Sequence, residues 1–525
     1  MKQTRKLLGL LLALAMVFAL AATAFATGLE TEPTTTPVPE TYSITINNSV
    51  AGHTYEAYQI FTGDLYNGIL SNIVWGSGIS EAGRAALGDA AAKAETLKTE
   101  ANARSFAKEV APYLSTVAGS ASTVTDGKYV ISGLRAGYYL VKDQDGSLTN
   151  DNDSYTEYIV KVVEDVTAEP KSDVPTVDKK VKDNDVSAEY KDAADYNIGD
   201  SVPFQLKATL ANNVSAYTTY KVVFHDTLSM GLTYNRDAKV SIDGKETNGF
   251  TVTSTANDDG TTTLTVSCDD VKALGAGNNS VITVEYTATL NQNAEIGNPG
   301  NSNKVYLEYS NNPNKSETGN NETGNTPEKE VLVFTYELDT TKVDGQNADT
   351  KLKDAKFVLL NSDGTKVAKI TNGKFDGWQD LPNAGSDGKI AVESWPTENI
   401  LTSGDNGLFS VTGLDAGTYK LREIVAPAGY NLLKYDITVV ITATIGKNDG
   451  KSTVTELKVA VDSGTPTAGN TETGIVNVTV ENKKGATLPE TGGIGTTIFY
   501  TVGGILVLVA VVLLVTKKRM NGTEV

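Results

Sequence analysis

The chain of 525 residues carries 45 Lys and Arg against 64 Asp and Glu, a formal net charge of −19, with two His and one Cys. An acid excess of this size argues against a nucleic-acid partner and suits a soluble, self-repelling exterior. The lone Cys268 excludes an internal disulfide framework, and its setting in "TLTVSC" reads as a strand with an inert core thiol.

The N-terminus has Lys2, Arg5 and Lys6, an apolar run over residues 7–20, and the small-x-small ending Ala24-Phe25-Ala26. This predicts a secretory signal peptide over 1–26, cleaved near Thr27. Residues 27–40 are a Thr/Pro-rich leader, and a first domain is expected over 41–168. Within it, residues 80–115 are Ala-rich with helical spacing, which predicts a helical insertion. Residues 169–176, "EPKSDVPT", read as a connector that displays Lys171 between prolines. A middle domain follows over 177–336 and a third over 337–487. Both are rich in period-two segments such as "VITVEYTATL", "YDITVVITATI" and "VNVTVEN", broken by Gly, Asn and Asp turns. The chain is therefore mainly β, with tandem immunoglobulin-like β-sandwich domains. Residues 310–330, "SNNPNKSETGNNETGNTPEKE", read as a polar loop with almost nothing to bury. After "LPETG" at 488–492, residues 494–515 are apolar or small and long enough to cross a bilayer. Lys517, Lys518 and Arg519 would keep the 516–525 tail cytoplasmic. Setting aside the six basic residues and one acid of the two ends deepens the net charge to −24.

An ungapped internal repeat aligns "GLRAGYYLVKD" (133–143) with "GLDAGTYKLRE" (413–423), so the first and third domains are expected to share a fold, with Asp143 in the place of Glu423.

Residues two apart on a strand share a face. By that count Lys342 is in line with Tyr336 and Leu338, Glu423 with Tyr419, Leu421 and Val425, and Asn482 with Val476, Val478 and Val480. The middle domain repeats the set. Lys179 lies between Val177 and Val181, Asp226 between Phe224 and Leu228, and Asn303 ahead of Val305, Leu307 and Tyr309. Lys180 is the main rival to Lys179. Charged groups are rarely buried without a purpose or a partner. In an apolar core the amine becomes neutral and nucleophilic and the acid stays protonated. The acid can then polarise the Asn carboxamide while the amine attacks, ammonia leaves, and a Lys–Asn isopeptide bond remains. The fold supplies the proximity, and as a single-turnover event this does not make the protein an enzyme.

At this point the chain resembles a known family. "YKLREIVAPAGY" (419–430) resembles the E-box of Gram-positive sortase-assembled pilins, and "TTKVD", "LKDAKFVLL" and "VTVENKKG" resemble the first strands and last strand of their prealbumin-like, collagen-binding-protein B-type domains. The resemblance implies Lys342, Glu423 and Asn482 as the third-domain set; Lys179, Asp226 and Asn303 are inferred for the middle domain. The first domain keeps Asp143 but has no Lys between Thr27 and Ala92, so no such bond is expected there. "LPETG", the apolar span and "KKR" resemble an LPXTG cell-wall sorting signal. In that family a sortase cuts between Thr491 and Gly492, after Leu488, Pro489 and Glu490, and holds Thr491 as a thioacyl. "VTAEPKSDVP" (166–175) resembles the pilin motif V-x-V-Y-P-K. Val166, Pro170 and Lys171 match, while Ala168 and Glu169 replace Val and Tyr.

The resemblance implies the backbone subunit of a covalent pilus, Thr491 of one copy joined to Lys171 of the next, exported, wall-anchored and used in adhesion. Implied partners are pilus-specific and housekeeping sortases, identical subunits, minor pilins, peptidoglycan and a host surface ligand; no cofactor or metal is implied. The alternative is a wall-anchored monomeric adhesin or minor pilin. An exported hydrolase is disfavoured, because His53 and His225 are the only histidines and no nucleophile elbow or metal-ligand cluster is present. The acidic turn "DQDGSLTNDND" (143–153) does not fit an EF-hand and reads as a solvated loop.

Overall fold

The structure, a computed structural model, describes residues 40–170, 172–184, 189–317, 319–386, 388–485 and 494–520. The expected signal peptide and nearly all of the leader, together with Lys171 and the whole of Leu488-Pro489-Glu490-Thr491-Gly492, lie outside the described residues.

The first domain is built on a sheet in the order Ile69–Trp75, Tyr55–Tyr66, Gly137–Asp143, Glu157–Val162, with Gly119–Ala121 on Tyr55–Tyr66. One face carries the helical insertion as three helices, Glu81–Leu87, Ala90–Thr96 and Glu100–Val110. Each starts on a polar cap whose side-chain oxygen accepts a backbone N–H: Ser80 from Gly83, Asp89 from Ala92 and Thr99 from Asn102. Phe106 of the longest helix stacks on Phe61, with ring centroids 5.5 Å apart, and joins the core under the helices. The other face packs on a small sheet in which Tyr42–Ile46 pairs antiparallel with Tyr129–Leu134 and parallel with Val166–Ala168.

The middle domain is a sandwich of two sheets around one core. Thr176–Lys182, Ser201–Thr209 and Val281–Leu290 are neighbours in one sheet. Lys329–Phe334, Asn301–Ser310, Val222–Leu228 and Thr262–Cys268 are neighbours in the other. The alternation is regular: in Ser201–Thr209 it sends Val202, Phe204, Leu206 and Ala208 inward. Cys268 ends its strand buried, where desolvation pushes its thiol up and away from reactivity.

Only Thr335 separates Lys329–Phe334 from Tyr336–Asp344, the first strand of the third domain. That strand pairs antiparallel with Leu408–Leu414 and parallel with the last strand, Ile475–Asn482. The repeat noted in the sequence is a pair of matching strand–turn–strand units, Tyr129–Leu134 then Gly137–Asp143 and Leu408–Leu414 then Gly417–Val425, whose successive strands pair with other strands and not with each other. Its first glycine has a physical reason: Gly133 and Gly413 adopt φ of 76° and 91°, the left-handed region that a side chain disfavours.

One expectation needs correction. The stretch 310–330 has a good deal to bury: Ser310, Asn311, Asn312, Ser316 and Thr326 are all buried. Several of its polar groups find partners locally and in the first domain. Asn312 Nδ2 donates to Glu322 Oε2 at 2.9 Å, Tyr155 N–H to Asn311 O at 2.8 Å, and Asn325 N–H to Asp151 O at 2.8 Å. The polar loop is the seat of the first domain on the middle one.

At the C-terminus, Ile494–Met520 is a single helix, and its segment Ile498–Lys518 is apolar, long enough to cross a membrane, and packed against none of the protein.

Candidate functional site

In the third domain, Tyr336–Asp344 alternates so that Tyr336, Leu338, Thr340 and Lys342 all face inward and are buried. The parallel register sets Lys342 opposite Val480 and Asp344 opposite Asn482. Lys342 Nζ donates to Val480 O at 3.0 Å. Glu423 follows Tyr419 and Leu421 on the inner face of Gly417–Val425. Asn482 Nδ2 donates to Glu423 Oε1 and Oε2, both at 3.0 Å, and to Asn431 O at 2.9 Å, while Leu433 N–H donates to Glu423 Oε2 at 2.9 Å. The Asn482 Oδ1 is buried and unpartnered. Burial lowers the Lys342 amine to about 8, against the opposing pull of Glu423 and Glu481. Burial also raises Glu423, although the Asn482 and Leu433 hydrogen bonds act the other way. Both shifts favour the uncharged forms.

The middle domain places Lys179 in one sheet and Asp226 and Asn303 in the facing one, all buried. Lys179 Nζ donates to Asp226 Oδ1. Burial lowers the amine to about 8 despite Asp226 beside it, and burial raises Asp226. Proton transfer from amine to carboxylate leaves the proton count unchanged, and a low-dielectric core favours the neutral pair it produces. Lys180 points the other way; it is half-exposed and bound to Asp192 Oδ1 at 2.5 Å. Between the acid and the amide sits a residue that the strand count did not single out, Tyr286. Its hydroxyl donates to Asp226 Oδ2 and accepts from Asn303 Nδ2 at 2.7 Å. The Asn303 Oδ1 is again buried and unpartnered. The alternation of "VITVEYTATL" does place Tyr286 in line with Ile282 and Val284, yet a core tyrosine gives no sign of chemistry by itself.

The first domain has Asp143 buried at the matching position, and its partner is His53. His53 Nδ1 lies 2.8 Å from Asp143 Oδ1, and Nε2 lies 3.0 Å from Asp153 Oδ2 at an ion-pair distance but off the hydrogen-bonding direction. Asp143 Oδ2 accepts Thr156 N–H at 2.7 Å, and the His53 ring stacks on Tyr55 at 5.3 Å. Burial alone would lower the imidazole pKa, but the two carboxylates outweigh it and push it up to about 9. This group is held by charge, and among the described residues neither a primary amine nor a carboxamide hydrogen-bonds or ion-pairs with His53 or Asp143. Sequence counting missed it because His53 stands in the loop before Tyr55–Tyr66, outside any alternating strand. Among the described residues, no group of three or more His, Cys, Asp or Glu has a geometry suited to a metal ion.

The residues flanking Lys171, Pro170 and Ser172, line a groove of about 690 Å3 together with Glu100, Arg104 and Lys108 of the long helix and Asn212. At the other end of the molecule, Lys484 bridges to Tyr430 and lies 3.2 Å from Asp344 Oδ2, so the fold holds the chain to within four residues of Leu488.

Three family descriptions match this chain: a Gram-positive pilin backbone subunit, Cna-B-like domain, over residues 198–313; a prealbumin-like fold domain over 337–458; and an LPXTG cell wall anchor motif over 480–522. A curated relative, the trypsin-resistant surface T6 protein of Streptococcus pyogenes serotype M6, is 24% identical over 465 residues, spanning 75% of this chain and 77% of its own. Among solved structures, the T6 backbone pilin of serotype M6 Streptococcus pyogenes, described as a modular three-domain structure, superposes with a TM-score of 0.52 at 20% identity, covering 85% of this chain and 99% of that one. That likeness bears on the fold.

Proposed function

We infer the working of this chain from the family to which it belongs, the sortase-assembled major pilins of Gram-positive bacteria: it is a structural subunit of a pilus, anchored at the cell wall and displayed on the surface. The finer steps are our own reading. The observation that carries them is the presence of two buried Lys–acid–Asn sets, Lys179/Asp226/Asn303 and Lys342/Glu423/Asn482, in two successive domains.

In each set the neutral amine attacks Cγ of the asparagine, the Nζ–Cγ bond forms, the Cγ–Nδ2 bond breaks and ammonia leaves. The acid accepts a proton from the amine and returns one to the departing nitrogen. In the third domain, protonation of Glu423 together with a half-turn of the Asn482 amide turns the carboxamide oxygen towards the acid, which then polarises the carbon under attack. The products are Lys179–Asn303 and Lys342–Asn482 isopeptide bonds.

Assembly between subunits uses the two ends. A sortase takes Thr491 as an acyl group with release of Gly492, and Lys171 of the next subunit resolves it; peptidoglycan resolves the last. The chain is thus a substrate of sortase and the agent only of its own single-turnover crosslinking. Intact mass tests the internal bonds: each condensation removes roughly 17 Da, one ammonia, so the folded chain should fall short of its formula by two such losses. A mass equal to the formula ends this reading. Peptide mapping of purified pili tests assembly, since a Lys171–Thr491 junction is required.

A further inference from the structure

We propose that Tyr286 is a catalytic proton relay for the middle-domain condensation, a part that the third domain does without. The proposal rests on the Lys179–Asn303 reading above and deepens it.

The two sites differ in the length of the acid. Glu423 reaches its amide directly, with Asn482 Nδ2 at 3.0 Å from both carboxylate oxygens. Asp226 is one methylene shorter, and the hydrogen-bond chain from it to Asn303 passes through a phenol. Tyr286 OH donates to Asp226 Oδ2, accepts from Asn303 Nδ2 at 2.7 Å, and lies 3.3 Å from Lys179 Nζ. One oxygen therefore touches the acid, the nucleophile and the leaving nitrogen.

The phenol is held there. Val281–Leu290 pairs with Ser201–Thr209 in a register that sets Tyr286 opposite Phe204, and their rings stack at 5.4 Å. Tyr234 closes the other side edge-on at 5.6 Å. Burial, followed by Asp226, raises the phenol pKa well above its ordinary value, so the hydroxyl keeps its proton and can pass one on only as it receives another.

The step balances. Neutral Lys179 Nζ bonds to Asn303 Cγ and gives one proton to Asp226 Oδ1. Asp226 Oδ2, which held the carboxyl proton, passes it to the Tyr286 oxygen. Tyr286 passes its own proton to Nδ2, the Cγ–Nδ2 bond breaks, and ammonia departs. Acid and phenol end with the proton count they began with, the carboxyl proton now on Oδ1. At rest the hydrogen bonds run from Nδ2 to the phenol to Asp226. Attack makes Nδ2 pyramidal and frees its lone pair, which reverses the direction of the chain.

The test follows newly made full-length protein by intact mass and peptide mapping, comparing the natural chain, Tyr286→Phe and the double variant Tyr286→Phe/Asp226→Glu. The Lys342–Asn482 bond in the same molecule is the clock. Tyr286→Phe should slow the middle-domain link by about 100-fold or more, the usual loss for a positioned proton donor, while the third-domain link forms on time. Lengthening the acid in the double variant should restore the link, because the added methylene lets the carboxyl span the gap that the phenol filled. Equal rates in Tyr286→Phe and the natural chain would overturn the relay, and so would a slow Tyr286→Phe that the longer acid fails to rescue, which would mark Tyr286 as packing alone. A natural chain lacking the Lys179–Asn303 link while carrying Lys342–Asn482 would instead refute the condensation reading for this domain, and the relay with it.

Discussion

The strand–turn–strand units carrying Asp143 and Glu423 align without a gap, and both carboxyls are buried, yet they meet different partners. Glu423 lies with Asn482 and near Lys342, a group that can condense. Asp143 lies against His53, which in turn faces Asp153. Asp153 belongs to the segment that seats the first domain: its carbonyl accepts from Tyr309 OH and Asn311 Nδ2, both at 3.4 Å. The same buried acid would thus serve the proposed covalent closure in one domain, and it forms an ionic clasp near a domain junction in the other. The position of Lys171 gives the difference a meaning. In the proposed polymer the covalent path enters at Lys171 and leaves at Thr491, and the first domain precedes it. A reversible clasp is sufficient there.

The comparison can be broken from either side. The largest effect is expected from Lys342→Ala, which leaves Glu423 and Asn482 without the nucleophile. A crosslink closing about 140 residues contributes about 5 kcal/mol on the chain-entropy account. Calorimetry should show Tm of the third domain falling by on the order of 10–20 °C, and the intact mass should lack one ammonia loss. Next is His53→Gln, which leaves two buried carboxyls facing each other. Removing one partner of a buried ion pair costs about 3–5 kcal/mol. This should appear as faster amide exchange in the first domain and at 310–326, with both condensations intact.

A smaller effect sharpens the contrast through pH. The folded His53 pKa of about 9 lies above the ordinary 6.5. The charge of the imidazolium therefore contributes stability that is fully present below pH about 6.5 and is lost as pH rises through about 9, worth about 3 kcal/mol in total. Denaturant melts of the first domain should weaken over that window, and His53→Gln should flatten the trend. A third domain closed by the proposed isopeptide bond should not share it. The smallest effect is expected from Lys180→Ala, which removes a half-exposed pair with Asp192 worth under about 1 kcal/mol and leaves the intact-mass deficit at two ammonia losses.

Much of this was legible from the residues, and the exceptions share a cause. Period-two alternation identified the inner faces of Thr176–Lys182, Val222–Leu228, Asn301–Ser310, Tyr336–Asp344, Gly417–Val425 and Ile475–Asn482, because one buried face imposes its parity on a whole strand. That parity decides which side a residue faces but is silent on what lies opposite. His53 comes from a loop, and Tyr286 from a strand in which it resembles any other core aromatic. The stretch 310–330 misleads for the same reason. Its polarity suggests exposure, whereas its partners, such as Asp151 O and Tyr155 N–H, are more than a hundred residues away and have no signature in the segment itself.

The parallel pairing of Tyr336–Asp344 with Ile475–Asn482 has a mechanical consequence. A pilus under tension pulls the third domain backwards from the start of its first strand and forwards from the end of its last. Two parallel strands loaded in that way slide past each other in shear. The eight registered positions from Glu337↔Ile475 to Asp344↔Asn482 would then share the force, where an antiparallel pair pulled at one end would peel apart bond by bond. Resistance to pulling is set by the unfolding rate under force, so this geometry would protect the subunit even before the proposed Lys342–Asn482 bond closes.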